Sequence, residues 1–279
     1  MSKILCATDY SKSSVSALQY AYSLSKKTNS ELVILNIIEY PTIWNSDVPK
    51  PSFTDFEKGA PQAYRKLLKE FCTRHLGTDF ESGNVTLTLK NGNNAEDGIL
   101  EYCAELQPSI LIVGVKGMSP LKEIFMGSTT KSLITNATSP VMIVPHEAKV
   151  EKFQKIVYAT TLMDNDLKAV QNLVELFSPV LKQLEVIHIK EKQQSSEAED
   201  FKNKLRAQVS SSLVEFKTIE GKDIFETLKQ YLKEHQTDVV GMFERQTGSS
   251  MKNLFHKDLV KRVESSTQIP LISFSKKSV

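Results

Sequence analysis

The feature that most constrains this chain is that it says nearly the same thing twice. Lys3-Ile4-Leu5-Cys6-Ala7-Thr8 recurs as Lys155-Ile156-Val157-Tyr158-Ala159-Thr160, an offset of 152, and Leu32 to Ile37 recurs at that offset as Leu184 to Ile189. The closing run Pro140-Val141-Met142-Ile143 matches Pro270-Leu271-Ile272-Ser273 at an offset of 130. The second copy is therefore expected to be shorter by 22 residues, the difference between those offsets. The loss falls after its second strand, where the first copy carries Pro41, Pro49, Pro51 and Pro61 in an excursion over 40–61. Two copies of one unit, 1–147 and 148–279, account for these facts together. A chain of 279 residues is long enough for each copy to bury its own core.

Within the first copy, short apolar runs alternate with helical patterns. Lys3–Thr8, Glu31–Ile38, Val85–Leu89, Ile110–Val113 and Val141–Val144 are expected strands, and helices are expected from Val15 to Leu24 and over Gln62–Leu76, Ala95–Leu106 and Ser128–Asn136. The second strand, ELVILNII, is almost wholly apolar, as a parallel strand covered on both faces must be. The expected class is α/β: two tandem doubly wound domains, each with a five-stranded parallel sheet of order 3-2-1-4-5 and right-handed crossovers. The apolar edge strands Val141–Val144 and Leu271–Phe274 would then pair with each other, since such edges left open invite aggregation.

In that topology the first and fourth strands are neighbours whose crossovers run to opposite faces, which opens a ligand crevice between their carboxyl ends. Asp9 ends the first strand. Gly114 follows the fourth and begins the stretch GVKGMSPLKEIFMGSTT. If an anion binds here, Gly114 and Gly117 supply turns with positive φ and bare backbone. Gly127 clears the approach to a helix N-terminus, where free N–H groups and the dipole attract phosphate. Ser128, Thr129 and Thr130 add hydroxyls in that turn. A loop whose glycines only turn the chain fits the spacing equally well. Neither GxxxxGK[ST] nor GxGxxG is present. Asp9 is suited to accept hydrogen bonds from a ribose hydroxyl or an adenine amine, or to cap the helix that follows. Ile37 is suited to pack on a purine face, or to serve as ordinary core.

The G-x2-G-x9-G-S spacing, the ATDYS after the first strand and the closing SPVMIVP together resemble the universal stress protein family, a Rossmann-like group, and the resemblance covers both copies. It implies an ATP site, with AMP or another adenylate as alternatives and a divalent ion such as Mg2+ on the phosphates. The implied contacts are Ala7, Thr8 and Asp9 from the first strand, Ile37 from the second, and Val113, Gly114, Val115, Lys116, Gly117, Gly127, Ser128, Thr129 and Thr130 from the loop. Asn36 departs from the family's histidine, which the second copy keeps as His188, a core histidine with no companion ligand. The implied role is a stress-response regulator that meets an unidentified protein partner according to its nucleotide. A slow ATPase and a scaffold with a vestigial site are the alternatives.

The second copy departs further. At the two offsets Asp9 becomes Thr161, and Gly114, Gly117, Gly127 and Ser128 become Glu244, Thr247, Lys257 and Asp258. An acid at a helix start already satisfies the dipole and repels phosphate, so one nucleotide per chain is expected. The chain carries 35 basic against 33 acidic residues, with no basic arm for nucleic acid. Cys6, Cys72 and Cys103 show no paired spacing, and no apolar stretch approaches a membrane span. A cytoplasmic protein is expected, folded as an intramolecular pseudo-dimer, with homodimerisation open, no catalytic constellation and no metal-ligand set.

Overall fold

The computed structural model describes residues 2–39, 62–115, 127–146, 148, 152–190, 196–209, 211–244 and 267–279. The excursion over 40–61 lies outside them. The first half runs β1 (Lys3–Ala7), α1 (Lys12–Thr28), β2 (Glu31–Glu39), α2 (Gln62–Leu76), a 3-10 turn (Thr78–Ser82), β3 (Val85–Gly92), α3 (Ala95–Leu106), β4 (Ile110–Val115), α4 (Ser128–Asn136) and β5 (Val141–Pro145). The second runs β6 (Lys155–Ala159), α5 (Asp164–Phe177), β7 (Gln183–Lys190), α6 (Ser196–Gln208), β8 (Val214–Glu220), α7 (Ile224–Glu234), β9 (Val239–Phe243) and β10 (Leu271–Phe274).

All ten strands form one sheet in the order β3-β2-β1-β4-β5-β10-β9-β6-β7-β8. Each half thus has the expected 3-2-1-4-5 order. The halves meet where β5 pairs antiparallel with β10, Ile143 facing Leu271 and Met142 facing Ile272. Every other pairing is parallel.

Alternation along the strands divides the interior into two layers. Ile4, Cys6, Leu32 and Ile34 point to one face, where α1 contributes Ala17, Leu18, Ala21 and Leu24 and α2 contributes Leu68 and Cys72. Leu5, Ala7, Val33 and Leu35 point to the other, under Ile99 and Cys103 of α3 and Leu133 and Ile134 of α4. The first layer is continuous across the seam. Phe153 stands edge-on to Tyr20 of α1, centroids 5.7 Å apart, and lies 6.1 Å from Phe177 of α5. The three cysteines are free and buried, and burial pushes the Cys72 thiol up to about 12 and Cys6 higher still, so both are packing groups.

The strand register corrects the alignment of the two copies. Leu32 pairs with Val85 and Leu184 with Val214, so the third strands are offset by 129. Ile4 pairs with Ile110 and Ile156 with Val239, giving 129 for the fourth strands also. Only the last strands stand 130 apart, because one extra residue falls between β9 and β10. The shortening after β7 is accordingly 23 residues, and the partner of Gly114 is Phe243, not Glu244.

Candidate functional site

The turn after β1 is built by hydroxyls. Thr8 Oγ1 donates to Ser14 Oγ (3.0 Å) and accepts from the Tyr10 N–H (3.1 Å), which holds Tyr10 at φ 63°, an uncommon conformation for a non-glycine residue. Ser11 caps α1 by accepting from the Ser14 N–H at 3.3 Å. Asp9 does not cap the helix: its Oδ1 accepts from the Ser11 N–H at 3.0 Å, and the residue is otherwise exposed at the end of β1. Burial alone would raise its carboxyl pKa, but hydrogen bonds from Ser11 and Ser14 outweigh that and hold it below the ordinary 3.8. Asp9 is therefore an anion throughout the neutral range.

Gly114 is not in a positive-φ turn. It lies inside β4, paired with Val144. A Cβ there would stand 2.1 Å from the Ser13 carbonyl oxygen and 2.9 Å from the Ser14 nitrogen. The glycine is needed because the first turn of α1 crosses directly over β4. Gly127 also has ordinary negative φ, −57°, as the N-cap of α4, and a Cβ there would meet nothing within 4 Å. Having no side chain, it leaves the first-turn N–H groups of α4 without a side-chain cap.

These elements enclose a cavity of about 520 Å³ at the carboxyl ends of β1, β2 and β4. Ala7, Thr8, Asp9, Ile37, Val113, Gly114, Thr129 and Thr130 all line it. Gly127 and Ser128 flank it at the start of α4, while Val115 is buried in the layer beneath α3 and α4. Lys116 and Gly117 lie outside the described residues. The wall is apolar, from Leu35, Ile37, Ile99, Val113 and Leu133, and the rim is polar.

Sequence reasoning missed several rim and wall residues. Glu39 accepts from the Ala95 N–H at 3.0 Å and so ties β2 to the start of α3. Tyr64 reaches the cavity from α2. Asn36 donates from Nδ2 to the Thr8 carbonyl at 2.8 Å, and His188 Nδ1 lies 3.2 Å from the equivalent Thr160 carbonyl. Asn36 thus keeps the histidine's hydrogen bond, and the alignment of the two copies was the signal that could have shown it. Among the described residues no cluster of three His, Cys, Asp or Glu could hold a metal ion, and no helix is long and apolar enough to cross a membrane.

The same turn in the second half is wired differently. Leu162 repeats the positive φ (67°), and Thr160 Oγ1 accepts from its N–H at 2.9 Å. The carboxylate now comes from Asp166, at the position of Ser14, and is almost completely buried. It accepts from Tyr158 Oη and Thr160 Oγ1, each at 2.8 Å, and from the Thr161 and Met163 N–H groups, each at 3.1 Å. Tyr158 stands where the first half has Cys6, and its ring fits because Gly241 replaces Ile112 beside it. Phe243, buried, occupies the register of Gly114. Thr247, Lys257 and Asp258 lie outside the described residues.

A parallel, doubly wound sheet with a polar-rimmed cavity at its strand-order switch point defines a Rossmann-like α/β protein. The chain belongs to the universal stress protein family, whose model matches residues 1–145. The universal stress protein YxiE of Bacillus subtilis is 28% identical over 148 residues, which cover 97% of that protein but 51% of this chain. A universal stress protein of Archaeoglobus fulgidus superposes over 98% of both chains with a TM-score of 0.69 at 16% identity. A functionally unknown protein of Pseudomonas aeruginosa PAO1 covers 99% of this chain and 92% of its own length, with a TM-score of 0.57 at 13% identity. The similarity to the two solved structures concerns the fold.

Proposed function

We propose that the first repeat, 1–147, binds one adenine nucleotide at the carboxyl ends of β1 and β4, and that occupancy changes how the protein meets a partner. ATP is the expected ligand, with AMP or another adenylate in the same place. The observation that carries this reading is the convergence, in one cavity of about 520 Å³, of the Asp9 turn, the apolar Ile37 and the uncapped start of α4. That size and lining suit a small ligand with an apolar body and a few fixed polar contacts.

The residues fit the parts of a nucleotide. Ile37 and Val113 offer apolar surface for a base, Asp9 an ionised acceptor for hydroxyl or amine donors, and the first turn of α4 N–H groups and the Thr129 and Thr130 hydroxyls for phosphate. A divalent ion would be held chiefly by the phosphates themselves. The charged side chains among the described lining residues are Asp9 and Glu39, both acidic. None of the described lining residues is a cation that could stabilise a phosphoryl transition state, and the reading adopted is binding. The second repeat, 148–279, is read as a structural partner, with Phe243 and Asp166 in the places of Gly114 and Ser14.

Mass spectrometry of small molecules released from freshly purified protein tests the reading. An adenine nucleotide in near-equal amount to the chain is expected. Its absence, together with no calorimetric signal on adding ATP, would overturn the proposal, and sustained multiple-turnover phosphate release would make the protein an enzyme.

A further inference from the structure

Gly98 sits inside α3, in the helix interior, where glycine is the least favourable residue after proline. Its φ is not positive, so no backbone requirement explains it. Its surroundings do. A Cβ at Gly98 would stand 2.9, 3.0 and 3.2 Å from Cδ1, Cγ2 and Cγ1 of Ile37, and a Cβ at Gly92, where β3 ends, would meet the Asn94 carbonyl oxygen at 2.7 Å and the same Ile37 Cγ2 at 3.1 Å. Ile37 is thus seated in a notch between two glycines, with its remaining side on the cavity.

The second repeat lacks this notch. Gly92 corresponds to Gly221, but Gly98 corresponds to Thr227, whose side chain closes over Gly221 so tightly that a Cβ there would meet Thr227 Oγ1 at 2.0 Å. The second repeat keeps an isoleucine, Ile189, at the place of Ile37, but there the threonine stands where the first repeat has Gly98.

We propose that Gly98, together with Gly92, is the specificity-determining feature of the cavity: by seating Ile37 back from the ligand space it sets the depth of the base compartment and admits a purine. This inference rests on the nucleotide reading above. A methyl group at position 98 takes space that Ile37 now fills, so that side chain must shift, and the open space beside it is the cavity that it lines. The compartment becomes shallower, and the larger base suffers more than the smaller.

The test is calorimetric titration of the full chain and its variants with ATP and with CTP. G98A is expected to weaken ATP at least tenfold and CTP far less, and the double variant G98A/I37V, which trims the displaced side chain, is expected to regain most of the ATP affinity. Should G98A fold poorly, I37V alone carries the test: a deeper compartment keeps its ATP preference and takes a purine enlarged at its edge, such as etheno-ATP, better than the parent does. If the parent binds ATP and G98A binds it equally well, with the higher melting temperature expected of alanine in a helix, the inference is overturned while the nucleotide reading stands. If the parent binds no nucleotide, both fall.

Discussion

Gly114 lines the cavity and Gly127 flanks it at the start of α4, and a side chain would meet different surroundings at each. At Gly127 the space is open, so Gly127→Val should fold normally and lose ATP binding by calorimetry, because the added groups enter the approach to α4. At Gly114 the space is already taken by the Ser13 backbone, so Gly114→Ala should lower stability by about 1–3 kcal/mol in denaturant unfolding, the usual range for an overpacked interior. The two glycines look alike in sequence. Nothing local distinguishes a glycine kept for a ligand from one kept for a crossing helix, so the expected positive φ at Gly114 was misplaced. Asp9→Ala should weaken ATP by roughly 1.5–3 kcal/mol if one charge-assisted hydrogen bond is lost. Since the folded-state pKa of Asp9 lies below 3.8, its contribution to stability is present above that pH and is lost as pH falls through the lower folded value. Asp9→Asn should therefore flatten the acid limb of the stability profile and leave the rest of its shape unchanged.

At the scale of elements, the turns after β1 and β6 share one backbone and differ in which residue supplies the carboxylate. Asp166 is an interior bracket that joins Tyr158, the turn and the start of α5. Asp166→Ala removes the acceptor of four hydrogen bonds and should cost about 2–4 kcal/mol, with ATP affinity in the first repeat unchanged. Denaturant melts beside a titration would separate the two effects. Helices α2, α3 and α4 were legible to the residue because their periodicity and flanking turn residues mark both ends. The strands were legible in place but not in length. β3 runs on through Lys90, Asn91 and Gly92, and β4 through Gly114, because ladder pairing with β2 and β5 holds residues that no apolar pattern marks. The single residue added between β9 and β10 could not be seen from offsets measured on other strands, and it moved the Gly114 counterpart from Glu244 to Phe243.

For the whole molecule, the asymmetry between the repeats predicts one ATP per chain, and a titration that fits two equivalent sites would overturn it. The seam adds a further consequence. Because β5 and β10 run antiparallel, the carboxyl ends of β1 and β4 leave the sheet by one edge and those of β6 and β9 by the opposite edge. A symmetric pair of identical domains would show the same face to a visitor from either direction. This chain has a front and a back: on the nucleotide reading proposed above, a partner that senses the ligand would come from the edge where β1 and β4 end, leaving the reverse free to be tethered without obscuring the message.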